Sequence, residues 1–432
     1  MQALKITIQG SYYDSQIYSG RLYLWSNEGT IVTLNWNRLI ETVEVEDRLK
    51  LALHCGFQQS ELLYRDEYKV FTQDEDIKRT LRKKFEDLSE KKIEISKAEL
   101  KDWELIYAEQ DNPFLFPHAD SLIYKNTIYV GGPSGISGST LSPFSEYGDE
   151  PIASKNTKLW DGPTLGIAGS YSTLALAAGS EGLFELPLYD SHNSPRTLTL
   201  YDSSSLPPSH IQNGPYQISK GHSISARWMY ASVFSSSYFN NSYLAYFTTE
   251  KGEVITQEGE ENEADSWGTD EERRVRRLQE IVPSSTIFKN QLENDTAAYT
   301  WGVQDKICLA TRNQISIVRY YQPSKRFTPL GQVNTELLRG EVVSGDSALF
   351  GFIVELDDGL LVVDSEMETS TWLPGEPVNW RIFPRSKSYT NQLHVVYEDS
   401  ICIFSFNQDY FVNQTKKKVG LRHSASHYKS KK

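Results

Sequence analysis

The sequence predicts an all-β fold: a seven-bladed propeller closed by its own termini, with a helical insertion in the first blade. Three observations predict it. A short hairpin pattern recurs along all 432 residues, its turns fall near the spacing of a four-stranded unit, and the N-terminus reads as a strand. Self-similarity at a period of 40–50 residues is the signature of such a ring.

The N-terminal segment comes first. "MQALKITIQG" alternates Leu4, Ile6 and Ile8 with Lys5 and Thr7, a strand pattern and not a signal peptide. "DSQIYS" (residues 14–19) follows as an innermost strand. "RLYLWSNEGTIVTLNW" (21–36) is the first hairpin, turning at Glu28-Gly29. Further copies are "NTIYVGGPSGISGSTL" (126–141), "LALAAGSEGLFELPLYD" (174–190), "SYLAYFTTEKGEVIT" (242–256, turning at Lys251-Gly252), "ICLATRNQISIVRYY" (307–321), "FGFIVELDDGLLVVDS" (350–365) and "LHVVYEDSICIFSF" (393–406). Gly, Asn and Asp occupy the turns because tight hairpins demand positive φ. Turn positions 133, 182, 252, 313, 359 and 399 lie 49, 70, 61, 46 and 40 residues apart, so the longer gaps hold insertions. "WELIYAE" (103–109) is the expected outer strand of blade 1. "NWRIFP" (379–384) supplies a strand to the last unit, which runs short and takes "ALKITI" to close the ring.

The resulting division is 1–38 for the first blade and closing strand, 39–101 for a helical insertion, 102–412 for the remaining blades and 413–432 for a basic tail. An acidic loop is expected at 250–285. In the insertion, Val45, Leu49 and Leu53 recur every fourth residue. Ile77, Leu81, Phe85 and Leu88 form a second stripe behind a Thr72 cap. Either stripe packs on the propeller or docks a partner protein, and the docking reading is the one carried forward for these seven residues. "RRVRRLQEIV" (273–282), after the acidic run, reads as a short helix, and "SVFSSSYFNNSYLAYF" (232–247) as strand–turn–strand.

"LALAAGSEGLFELPLYD" and "RLYLWSNEGTIVTLNW" resemble the central hairpin of a WD-repeat blade, and "KLWDGP" (158–163) resembles a blade end. The similarity is to the WD-repeat-like propeller superfamily and implies a ring that presents loops to other proteins. One Trp-Asp pair, Trp160-Asp161, is present, and no Gly-His signature opens the blades.

Charge bounds the partners. The chain carries −13, but residues 413–432 hold Lys416, Lys417, Lys418, Arg422, Lys429, Lys431 and Lys432 with no acid. The other 412 residues have 37 basic and 57 acidic groups. An acidic body disfavours a broad phosphate footprint, so contact with nucleic acid or an acidic surface falls to the tail alone. Three separated cysteines, Cys55, Cys308 and Cys402, suit a reducing, cytoplasmic compartment, and no apolar run is long enough to cross a bilayer.

Motif chemistry is sparse. The eight histidines show no ligand spacing, and HExxH, GxxxxGK[ST] and GxSxG are lacking, so the sequence suggests no metal, cofactor or catalytic residue. Asp346, Asp357, Asp358 and Asp399 are expected in turns for backbone reasons. The function expected is a non-catalytic interaction scaffold or complex subunit. The alternative is a propeller hydrolase or lyase acting on a carbohydrate-like ligand through acids from several blades.

Overall fold

In the computed structural model, residues 1–64, 68, 74–102, 106–142, 152, 156–170, 173–188, 215–238, 241–251, 274–289, 298–334, 340–411, 419 and 421 are described. Seven small sheets carry the fold, each built from an antiparallel four-stranded meander, here a to d from the axis outward. The seven a strands are Tyr12–Tyr18, Asp120–Tyr124, Gly166–Ser170, Ser225–Met229, Tyr299–Val303, Val342–Ala348 and Asn379–Ile382. Each touches the next, and the seventh touches the first, so the ring is closed.

Closure comes from the two ends of the chain. Ala3–Gln9 pairs antiparallel with Ser400–Phe406 (Leu4 opposite Ser405, Ile6 opposite Ile403) and completes blade 7. A blade built from both ends of the chain ties the last blade to the first and leaves no open seam between them.

The insertion covers this strand. It leaves blade 1 after Asn35 as the helix Trp36–Thr42, continues through Asp47–Leu49, Lys50–Phe57, Glu61–Tyr64 and Glu75–Ser89, and lays Ile93–Ile95 parallel to Ala3–Gln9. It therefore adds a fifth strand to blade 7. The helix Glu75–Ser89 starts at Asp74, whose carboxylate accepts from the Asp76 and Ile77 amides; the expected cap, Thr72, lies outside the described residues. The last carbonyls of Lys50–Phe57 are held by blade 7. Asn391 Nδ2 donates to Gly56 O (3.0 Å), and Gln392 Nε2 to Phe57 O (2.8 Å).

Two strand assignments change. Tyr243–Lys251 is a single strand whose hairpin partner is Ser232–Ser236, and Gly252 of the expected turn lies outside the described residues. Arg274–Pro283 is not a helix but the outer strand of blade 4, because it pairs along the whole of Tyr243–Lys251. Tertiary pairing overrides helix propensity here. In blade 1 the outer strand is Tyr107–Asp111, displaced towards the C-terminus from the expected 103–109.

The opening turn of "GSEGLFEL" fixes one residue type. Gly182 has φ +106°, and a Cβ there would lie 2.0 Å from the Ser219 carbonyl oxygen. Gly182→Ala is expected to cost roughly 1–3 kcal/mol. Urea unfolding checks this, with Gly29→Ala as a comparison, since no atom lies within 4 Å of that Cβ position.

Candidate functional site: the polar axis

The innermost strands bring together charges far apart in sequence. Asp14, on the a strand of blade 1, has no exposed surface. Its Oδ1 accepts from the Ser15 amide (2.7 Å), Asn379 Nδ2 (3.0 Å) and Arg381 Nε. Its Oδ2 accepts from His118 Nε2 (2.6 Å), Ser121 Oγ (2.6 Å) and Arg381 Nη2 (2.8 Å). Arg381 sits on blade 7 and extends Nη1 to Asp120 Oδ1 on blade 2 (2.8 Å) and to Ser121 O (3.0 Å). One guanidinium thus spans blades 7, 1 and 2.

Two further arginines reach across the axis. Arg227 of blade 4 pairs with Asp346 of blade 6, passing over blade 5. Arg385, in the a–b connection of blade 7, donates to Gly169 O and Ser170 Oγ of blade 3 (3.2 Å to the latter). Contacts between blades that are not neighbours can only pass through the ring's centre.

The electrostatics are those of a satisfied network. Burial alone would raise the Asp14 pKa, but the Arg381 charge and the hydrogen bonds from His118 and Arg381 hold it well below the carboxylate range. For Arg381, burial acts downward and the paired aspartates outweigh it, so its pKa rises. His394 pairs opposite Arg381 in blade 7, with Ser15 Oγ at 3.2 Å from Nδ1 and Gln392 Oε1 at 3.2 Å from Nε2. Burial, followed by the Arg381 charge, pushes its pKa down to about 3, with Asp14 opposing.

A pH dependence follows. Folded His394 stays neutral, whereas the unfolded residue titrates near 6.5, so it imposes no cost above that pH. As pH falls from 6.5 towards 3, stability is lost at about 1.4 kcal/mol per pH unit. Urea unfolding at stepped pH should show this slope, and His394→Gln should flatten it above the carboxylate range.

The sequence-derived candidates lie elsewhere. Leu49, Leu53, Leu81, Phe85 and Leu88 are at most 7% exposed, in one core with Leu4, Ile6, Ile8 and Ile403 of blade 7. Val45 is half-buried in the extended segment before the Asp47–Leu49 turn, not on a helix. Ile77 is 42% exposed and belongs to no shared stripe. In this conformation the five buried side chains offer no surface for a partner, because the propeller itself covers them. Lys416, Lys417, Lys418, Arg422, Lys429, Lys431 and Lys432 lie outside the described residues. Among them, Val419 and Leu421 are buried in the core between blades 5 and 6. Asp357 and Asp358 do form a turn, but Asp346 is a strand residue facing Arg227.

Sequence reasoning missed the axial set. The local signal is an Asp-Ser pair on an a strand at 14–15, 120–121 and 346–347, each with the serine amide on the aspartate Oδ1. That dipeptide occurs eight times in the chain, so only its place in the ring distinguishes these three. Among the described residues, no cluster of three His, Cys, Asp or Glu side chains has the geometry to hold a metal ion.

No family model matches this chain, and no curated protein matches its sequence. The chain is similar to solved structures at very low identity. BBS1N in complex with ARL6DN is 8% identical over 97% of this chain and 98% of that one, with a TM-score of 0.44. The Neurospora crassa Pan2 WD40 domain is 6% identical over 92% and 90%, with a TM-score of 0.42. The WD40 β-propeller domain of Doa1 is 10% identical over 68% and 94%, with a TM-score of 0.32. The assignment rests on the ring itself: seven meanders, a seventh a strand touching the first, and a closing strand from the N-terminus. The chain is a seven-bladed β-propeller. Trp160-Asp161 of this propeller lies at the end of the outer strand of blade 2.

Proposed function

We propose that this propeller is a non-catalytic scaffold that holds other proteins, as a subunit of a larger assembly. The observation that carries this reading is the saturation of Asp14. A general acid or base must exchange a proton with substrate. Asp14 already accepts six hydrogen bonds, two of them from a guanidinium that also holds Asp120. Of the acids that converge at the axis, Asp14 and Asp120 are spent on joining blades 7, 1 and 2, and Asp346 on pairing blade 6 with Arg227 of blade 4. A hydrolase or lyase would need one of them free.

The exposed connections of a rigid ring are then its working surface. Purification of the tagged chain from its native source at moderate salt tests the proposal. A second protein in fixed stoichiometry is expected. A lone chain that turns over glycans or related polyanions would overturn the reading.

A further inference from the structure

Alternating strand direction sorts the connections of the ring. In every blade the b–c turn and the d–a connection share one face, and the a–b and c–d connections share the other. On the first face, over blades 7, 1 and 2, Leu115 is 65% exposed, Phe116 53% and Val378 53%. Tyr13 links their segments. The Phe116 ring lies 4.9 Å from that of Tyr13, and the Tyr13 carbonyl accepts from Asn379, the residue after Val378 (3.4 Å). Isolated exposed apolar side chains are ordinary, whereas a group of them inside a charged rim marks an interaction surface.

The rim has one sign. Glu28, Asp111, Glu376, Glu398 and Asp399 are all exposed. The segments that form this sector, 10–11, 27–29, 111–119, 375–378 and 397–399, contain no Lys or Arg. Among the described residues, one cation reaches it from the insertion, Lys97 Nζ at 3.5 Å from Glu28. Backbone bonds tie the segments together: Gly10 N to Asp399 O (2.9 Å), and Asn112 N to Gly29 O (3.0 Å). The patch is therefore preformed.

We propose that this sector docks a basic polypeptide segment of another protein, with an aliphatic or aromatic residue seated on Leu115, Phe116 and Val378 and Lys or Arg side chains facing the five carboxylates. Charge complementarity selects this occupant; a nucleic acid would be repelled. The inference rests on the scaffold reading and adds the chemistry of what is held.

The test is selection of a random dodecapeptide phage library on the full chain, followed by anisotropy titration of the enriched peptides. Enriched sequences should be basic with at least one large apolar residue. Their affinity should fall at least about tenfold in Phe116→Ser, in Glu398→Lys/Asp399→Lys, and on raising salt to about 0.5 M. Glu41→Lys, on the insertion, should bind as the unaltered chain does, and all variants should melt with it. Neutral or acidic selectants, or binding unmoved by these changes, would overturn the proposal. So would a tenfold gain on removing residues 422–432, which would make the chain's own tail the occupant. A native partner that still binds the variants would refute this surface while leaving the scaffold reading intact.

Discussion

Arg381→Leu is expected to destabilise the protein by about 3–5 kcal/mol, the usual consequence of leaving a buried charge without its partner. Asp14 would remain with no exposed surface and would lose two of its six donors, both from the cationic side chain. Asp120 would suffer less, because its side chain is 19% exposed and can recruit water. The loss should be mechanical as well as energetic, since the same guanidinium joins three blades. Urea unfolding at neutral pH measures the effect. Hydrogen exchange should show faster opening in Tyr12–Tyr18, Asp120–Tyr124 and Asn379–Ile382 than in the a strands of blades 4 and 5.

Leu81→Asp with Phe85→Asp is expected to cost at least about 5 kcal/mol in the isolated chain. Both side chains are under 8% exposed. Phe85 packs edge-on against Phe411 (6.0 Å between centroids), and Arg82 lies 4.9 Å over the same Phe411 ring. The helix that carries them leans on Ala3–Gln9, so its release should also loosen the closing strand of the ring. Ile77→Asp on the same helix, at 42% exposure, should change stability by less than about 0.5 kcal/mol. The contrast separates packing on the propeller from a general loss of helix. The insertion is thus a lining of the closing seam, and removing it would expose one edge of Ala3–Gln9. That differs from an excursion that can be cut out with the ring intact.

The fold was legible in the sequence because strand alternation and turn chemistry are local. Glu28-Gly29, Gly182 and Asp358-Gly359 announce their hairpins within a few residues. The N-terminal strand was legible for the same reason, and its role followed from counting strands in the last blade. Tyr243–Lys251 was given the wrong hairpin partner because the turn composition of "KGE" drew the pairing to the residues just after it, whereas the strand pairs with Ser232–Ser236 before it and with Arg274–Pro283 well beyond the quoted stretch. The insertion's helices were readable from Leu81, Phe85 and Leu88, but a stripe carries no label for what covers it. The axial site was not legible. Asp14, His118, Asp120 and Arg381 are up to 367 positions apart, and only ring closure brings blade 7 against blade 1. Each is unremarkable among 57 acids, 44 Lys and Arg, and eight histidines until the topology is known.

The central claim is that the axial carboxylates fasten the ring. A double-mutant cycle in equilibrium unfolding tests it most directly, using Asp14→Leu, Arg381→Met and the two combined. The account predicts that each single change costs about 3–5 kcal/mol and that the double change costs clearly less than their sum, with a coupling of at least about 2 kcal/mol. Additive losses, with no coupling between the two residues, would contradict it.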